Sequence, residues 1–370
     1  VYKRQMQARQ TQLTLSLILL LVCLPALAAD GGPRPPLDTV GFATTSSQME
    51  VLFPRCLELA APRQAALARE QGWEDDTSFI AGICPHDDYC YAGRLYPLAL
   101  SRIRAPRVII FGVFHKARAF DCRDRLVFDS FHHWHGPRGP VTVSPLRRRI
   151  IGLLPAENLV VDDTMHAAEH SVEALVPWLQ AFNPGVEIVP ILVPHMEWET
   201  MERLAGDLAA ALASILREEG WALGRDVALV SSCDAVHYGD AGWGGKNFAP
   251  FGTDAGGYGR AVQRDLELAG LLCGPLTPAN LETFLYRCVD RQDVDRYLVP
   301  WCGRFSVPLG LSVASLLTRT LEGRGLTGVL LDYGTSVSEA TLDLEGLEGM
   351  GATAPSNFHH FVGYPAIGYR

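Results

Sequence analysis

The sequence predicts an α/β fold, because short buried strands alternate with amphipathic helices. Residues 107–113 (RVIIFGV), 187–193 (EIVPILV) and 227–232 (VALVSS) are apolar runs of strand length, a pattern typical of strands covered on both faces. Between the last two runs, apolar residues recur at helical spacing: Met201, Leu204, Leu208, Leu212 and Ile215. Strands that alternate with helices are typical of a largely parallel sheet packed against helices.

Polar side chains follow three of the predicted strands. A fourth buried run, residues 79–84, is ended by Pro85, which cannot donate into a sheet ladder. His86, Asp87 and Asp88 follow it, His115 follows 107–113, and Cys233, Asp234 and His237 follow 227–232. In open parallel sheets ligands bind at the carboxyl ends of the strands. The three histidines would therefore meet at one edge, and the sequence predicts a mononuclear metal centre there.

The first 28 residues have the composition of a secretory signal peptide. Basic residues (Lys3, Arg4 and Arg9) precede an apolar stretch at 13–24 and the small-residue motif at 26–28. The apolar stretch is short for a bilayer span, which favours a cleaved signal over a membrane anchor. We expect an exported protein, periplasmic or secreted, with an extended arm at 29–47 and a single α/β domain at 48–370.

The charge balance limits the classes of partner. The formal net charge is −9, and without the three basic residues of the signal segment it is −12. An acidic protein with no basic run is not expected to bind nucleic acid or anionic membranes. Apart from Cys23, the eight cysteines fit no disulfide framework and include no CxxC motif. The sequence leaves the oligomeric state open.

Three further segments carry candidate functional residues. Residues 166–183 predict a helix with Pro177 in its first turn, which leaves His170 near the amino end. His170 is either a group that orients a substrate or ligand, or a buried side chain that holds a loop. The histidine-rich segment 119–142 is interpreted as a hairpin or surface loop rather than a metal site. The long glycine-rich segment 238–258 predicts a substrate lid.

Cys302 precedes the last predicted helix. Pro308 suits the first turn of that helix, so Cys302 and Arg304 lie ahead of its amino terminus. The helix dipole and Arg304 both favour the thiolate, which is the form that binds metals. The alternative is a small buried hydrophobic residue, but the flanking glycine and arginine favour a functional one.

Six segments together resemble the Memo family, also called AmmeMemoRadiSam system protein B, over about residues 50–365. In chain order they are PHDDYCYAG, GVFH, EHSVEALVPWLQ, EIVPILV, SSCDAVHYGD and CGRFSVPLG. The resemblance implies a fold like that of the class III extradiol dioxygenases, a three-layer αβα arrangement with a central mixed, largely parallel sheet.

The resemblance also implies site residues. By position, His86, His115 and Cys302 would bind one iron or copper ion, in preference to zinc. Asp234 and His237 would line the same pocket, with His237 as acid and base and Asp234 orienting it. Cys302 stands where the dioxygenases use a carboxylate ligand.

One segment departs from the family pattern, which usually reads PHAGY. Asp87 and Asp88 replace the alanine and glycine and add two carboxylates beside a proposed ligand. Asp88 is expected to need a different turn, because glycine tolerates positive φ more readily. Together with His170 and Arg304, these aspartates are our candidates for substrate contacts.

Three functions fit these residues. The favoured one is an iron- or copper-dependent oxidoreductase of dioxygenase type, acting on a small molecule with O2. The second is a metal-assisted hydrolase in which Asp87 or Asp88 is the base for a metal-bound water. The third is a protein that keeps the pocket and binds metal or ligand without catalysis. The family resemblance supplies the margin for the first.

Overall fold

A mixed sheet organises the chain in the computed structural model, which describes residues 32–242, 247–344 and 347–370. Residues 33–370 form one unit by internal contacts. The predicted signal peptide, residues 1–28, lies outside the described residues, as do residues 243–246 of the predicted lid. Within the described ranges, every helix is too short or too polar to cross a bilayer.

The described part contains twelve strands and ten α-helices. The strands are β1 (Ala81–Cys84), β2 (Arg107–Val113), β3 (Leu126–Phe128), β4 (His133–Trp134), β5 (Val141–Val143), β6 (Leu159–Val161), β7 (Glu187–Val193), β8 (Val227–Ser232), β9 (His237–Gly239), β10 (Gly274–Pro275), β11 (Thr327–Thr335) and β12 (His360–Tyr369). The helices are α1 (Ser46–Gln71), α2 (Tyr89–Ala92), α3 (Leu95–Leu100), α4 (Leu146–Leu153), α5 (Asp163–Ala167), α6 (Val176–Phe182), α7 (Trp198–Glu219), α8 (Ala255–Gly270), α9 (Pro278–Cys288) and α10 (Ser306–Glu322). Short 3-10 turns lie at Ala156–Asn158 and Cys302–Arg304.

The strand order places the predicted site strands side by side. It runs β10-β11-β12-β1-β8-β2-β7-β3-β6. Strands β1, β8, β2 and β7 are parallel neighbours, and β12 pairs antiparallel with β1. The carboxyl ends of β1, β8 and β2 therefore lie together at one edge of the sheet, which is where their polar loops begin.

Two hydrophobic cores lie on opposite faces of this sheet. Successive residues of a strand point to opposite faces: Ile109 belongs to one core and Val108 to the other. The first core includes residues of α7 and α10, and the second includes residues of α1, α3 and α6. The predicted α/β architecture, a mixed and centrally parallel sheet between helices, is confirmed.

The sequence located the central strands well and the later strands poorly. The bounds of β2, β7 and β8 are the predicted ones, and Pro177 lies in the first turn of its helix. The first strand is shorter than predicted and starts at Ala81. Strands β11 and β12 were not predicted; they pair antiparallel with each other, and β12 also pairs antiparallel with β1.

The described part of the arm packs against the domain through Arg34. This side chain is buried, lies 4.2 Å from the centroid of the Trp134 ring and forms an ion pair with Glu173. It also donates to the carbonyl oxygen of His166. The arm is thereby held so that Asp38 reaches the edge of the sheet where the candidate site lies.

Candidate metal centre

His86 follows β1 and is buried, with its ring orientation fixed by Ser232 of the neighbouring strand. The Ser232 hydroxyl donates to the carbonyl oxygen of Ser171 at 2.6 Å. Its oxygen is therefore left to accept from Nδ1 of His86, 2.8 Å away. This network assigns the proton to Nδ1 and leaves the Nε2 lone pair of His86 available for a metal.

His115 follows β2 and is held by Glu169 in the same way. Its backbone N–H donates to Oε2 of Glu169 at 2.7 Å, and its Nδ1 lies 2.9 Å from Oε1. With Nδ1 donating to a carboxylate, Nε2 of His115 is left as a ligand atom. A carboxylate that orients a histidine in this way is a recurrent feature of metal sites.

The surroundings of Glu169 favour its ionised form. Burial by itself would raise its pKa, but His115, His170 and the backbone N–H of Ser171 outweigh burial and hold the pKa well below its usual range. Its Oε1 also accepts from the backbone N–H groups of His170 and Ser171 at 2.8 and 3.0 Å. The side chain is buried, so its negative charge is fixed beside His115.

Cys302 places its sulfur between two imidazoles. Its Sγ lies 3.1 Å from Nε2 of His237 and 3.4 Å from Nε2 of His115. The backbone N–H of Cys302 donates to the carbonyl oxygen of Asp234, which anchors the 3-10 turn ahead of α10. This turn therefore holds the sulfur near the ends of β2 and β8.

The protein surroundings of Cys302 favour the thiol, whereas the helix dipole and Arg304 were expected to favour the thiolate. Burial and the nearby Asp234 raise the pKa of its thiol well above the ordinary value, and Arg304 only partly opposes them. Burial and the charges of His115 and His360 lower the pKa of His237 to about 3. Thiol and imidazole are thus both neutral, and a bound cation would be needed to stabilise the thiolate.

These side chains form two overlapping candidate ligand sets. In each of these two sets the ligand atoms lie within 4.8 Å of one another: His86, His115 and Cys302 in one, Asp234, His237 and Cys302 in the other. His115, Glu169 and His170 form a third set by the same distance. Two imidazole nitrogens with their protons on the far side, together with one sulfur, fit a transition metal.

Asp234 contacts a different histidine from the one predicted. It was expected to orient His237, but its Oδ1 accepts from the backbone N–H of His86 at 2.9 Å and its Oδ2 lies 3.3 Å from Nε2 of His86. The reason is the sheet order, because Asp234 follows β8 and β8 pairs directly with β1. Asp234 is therefore a neighbour of the first candidate ligand.

Asp87 and Asp88 line a small cleft beside the centre rather than the centre itself. Asp87 accepts from the Tyr364 hydroxyl at 2.6 Å, and Asp88 accepts from the backbone and hydroxyl of Thr353. Burial raises the pKa of both, to about 7 for Asp88. The cleft, of about 50 Å³, also includes His237. Asp88 has φ −42°, outside the left-handed region that favours glycine, as expected for an aspartate at this turn.

His170 lies beside the two candidate histidine ligands. Its ring centroid is 5.1 Å from that of His115 and 5.7 Å from that of His86, and its Nδ1 is 2.6 Å from Oδ2 of Asp38. Burial by itself would lower its pKa, but Asp38 and Glu169 raise it to about 9. His170 is therefore a cation at neutral pH.

This shift predicts a pH-dependent stability. Because the folded state raises the pKa of His170 from 6.5 to about 9, its contribution is complete below pH 6.5 and is lost as the pH rises through 9. We expect Asp38→Asn to lower the free energy of unfolding by roughly 1–2 kcal/mol at pH 6, after allowing for solvent screening, and by less at pH 9.5. Urea unfolding at both pH values measures this, and an equal loss at both would contradict it.

The remaining candidates lie away from the ligand sets. Arg304 lies 3.6 Å from the centroid of the Tyr297 ring and donates to the carbonyl oxygen of Trp301. In the histidine-rich segment, β4 and β5 form a short antiparallel pair, and Nε2 of His135 contacts the carbonyl oxygen of Thr44. No residue of that segment, which is fully described, belongs to a candidate ligand set.

Sequence reasoning did not identify the residues that orient the ligands. Glu169, Ser232, Asp38 and Tyr364 were not singled out as site residues. A serine at the end of a strand next to the strand that delivers a histidine was a usable signal for Ser232. For Asp38 and Tyr364 we find no signal in the sequence, because each lies far along the chain from its partner.

Comparison with known proteins agrees with the resemblance in the sequence. The model of the family described as Memo-like protein matches residues 58–263, more than half of the chain. A MEMO1 family protein of Aquifex aeolicus is 25% identical over 256 residues, which cover 69% of this chain and 78% of that protein.

Two archaeal relatives match over shorter stretches. A MEMO1 family protein of Methanothermobacter thermautotrophicus is 36% identical over 109 residues, 28% of this chain and 35% of that protein. One from Pyrococcus abyssi is 31% identical over 179 residues, 46% of this chain and 56% of that protein. The chain thus spans only about a third to a half of these two relatives. Because the family model matches more than half of this chain, the chain belongs to the Memo-like protein family.

Proposed function

We propose that this protein binds one iron or copper ion through His86, His115 and Cys302 and acts as an oxidoreductase of dioxygenase type. The observation that carries the proposal is the meeting of two imidazoles and one sulfur, from three separate loops, within 4.8 Å. Imidazole and thiolate suit these metals, and three protein ligands leave coordination positions for O2 and a small-molecule substrate.

The residues around the ligands have distinct roles in this proposal. A bound iron or copper ion would supply the exchange of electrons with O2. Glu169 and Ser232 keep the Nδ1 protons of their histidines in place, so that both Nε2 atoms face the centre. His237 is the residue that accepts a proton from a substrate hydroxyl in this proposal. Its imidazole is unprotonated and has a free lone pair, although burial lowers its pKa to about 3 and makes it a weak base.

The alternatives receive less support from the contacts. A hydrolase would need Asp87 or Asp88 as the base for a metal-bound water, but these carboxylates accept hydrogen bonds from Tyr364 and Thr353. A non-catalytic binding protein would use the same ligands and differs only in having no turnover. We further propose, from residues 1–28, that the protein functions outside the cytoplasm, which cell fractionation tests.

His237→Ala is the test of the proton-transfer role. We expect metal content to stay at one ion per chain, while oxygen consumption with catechol as the probe substrate falls ~10²–10⁴-fold. Loss of the metal would instead make His237 a ligand. Unchanged oxygen consumption would rule out its catalytic role, and no consumption by the iron- or copper-loaded wild type would favour the binding protein.

A further inference from the structure

A second cleft lies at the edge of the sheet opposite the candidate metal centre. It has a volume of about 500 Å³, and its lining includes four arginines together with Asp76 and Ser78. The arginines are Arg104, Arg225, Arg324 and Arg370. All four are exposed. A protein with a formal net charge of −9 thus gathers four guanidinium groups around one opening.

The sheet topology explains why these arginines meet. Arg104, Arg225 and Arg324 lie just before β2, β8 and β11, at the amino ends of strands that point the same way. Arg370 follows β12, which runs antiparallel to β1 and so ends at this edge. The cleft and the metal centre are therefore separated by the length of the sheet.

The guanidinium groups of two of the four arginines form no ion pair with a side-chain carboxylate among the described residues. Arg225 pairs with Asp226, and Arg324 pairs with Glu322. Within the described ranges, neither Arg104 nor Arg370 has a carboxylate oxygen within 4.0 Å, and Arg104 donates only to the carbonyl oxygen of Asp75.

The pKa of the neighbouring Arg102 is affected by the positive charge of this cluster. Burial lowers its pKa, and the charges of Arg104 and Arg370 lower it further, against an opposing effect of Asp75. Asp76, which also lines the cleft, forms an ion pair with none of the four arginines. A bound anion would relieve this repulsion between guanidinium groups.

We propose that this cleft binds a small phosphate-bearing anion. Guanidinium groups bind phosphate oxygens through two parallel N–H donors, and Arg104 and Arg370 have these donors free of competing carboxylates. The Ser78 hydroxyl adds a neutral donor in the same lining. The site is independent of the metal centre and does not rest on the function proposed for it.

Isothermal titration of the full chain with inorganic phosphate and with pyrophosphate, at constant ionic strength in chloride, tests the proposal. We expect saturable binding of one anion per chain, tighter for pyrophosphate. Arg104→Ala and Arg370→Ala should each weaken binding about tenfold or more, and the double variant should abolish it. Arg104→Lys should bind with intermediate affinity, because lysine keeps the positive charge but lacks the two parallel N–H donors of the guanidinium group. Arg148→Ala, an exposed arginine on α4, is the matched control and should bind as the wild type does.

Three results would overturn the proposal. The first is that phosphate and pyrophosphate give no heat beyond that of a chloride titration. The second is that the wild type and the double variant bind these anions with equal affinity. The third is protein that sediments with phosphatidic acid vesicles while neither soluble anion binds, which would make the ligand a lipid surface. Circular dichroism spectra of the variants establish that they are folded, which these exposed positions should allow.

Discussion

Cys302→Ser is expected to abolish stable metal binding. The sulfur of Cys302 is the group shared by the set that contains His86 and His115 and the set that contains Asp234 and His237. A serine hydroxyl does not ionise at neutral pH and is a poor ligand for a soft metal. We expect the affinity for iron or copper to fall by more than about 100-fold, beyond the 10–100-fold typical of losing a supporting residue. Elemental analysis of purified protein and the loss of thiolate-to-metal absorption would measure it.

A second cysteine provides the control for this experiment. Cys273 lies at the amino-terminal side of β10, is half-buried and belongs to none of the candidate ligand sets. Cys273→Ser should keep the full metal content and the absorption band. Equal metal content in Cys302→Ser and the wild type would contradict the assignment of the sulfur as a ligand, and with it the proposed function.

Glu169→Gln is expected to weaken metal binding 10–100-fold without touching a ligand. The amide cannot be an anionic acceptor for Nδ1 of His115, and one of its two ends must present N–H groups to backbone donors. His115 would lose its fixed tautomer and orientation, as supporting residues in metal sites generally provide. Competition with a chelator of known affinity gives the change, and the thiolate absorption should persist at saturating metal.

The same substitution at Glu173, four residues further along the chain, distinguishes a loss of metal affinity from a loss of stability. Glu173 is half-buried, pairs with Arg34 and accepts from the backbone N–H groups of Leu37 and Asp38. Glu173→Gln should therefore lower the free energy of unfolding but leave the metal affinity unchanged. If both variants lost affinity in proportion to their loss of stability, Glu169 would be a structural residue only.

The sequence located the candidate ligands because the local pattern carries that information. A buried strand needs a continuous apolar run, and a proline or polar residue ends it, so the positions of His86, His115 and Asp234 at strand ends could be predicted. Cys302 was found by its place before a helix, but the thiol is favoured there, because burial outweighs the helix dipole and Arg304. The family resemblance, rather than the local pattern, joined these residues into one site.

The amino-acid sequence by itself determined the α/β class, the central strands and the ends from which the polar loops leave. Only the tertiary structure decided which carboxylate meets which imidazole. Glu169 is 54 residues from His115, and Cys302 is 187 residues from it. Such pairings depend on the order of strands in the sheet, and a protonation state depends on how much water and charge the whole fold leaves around a group. The residues next to a side chain along the chain determine neither its partners nor its protonation state.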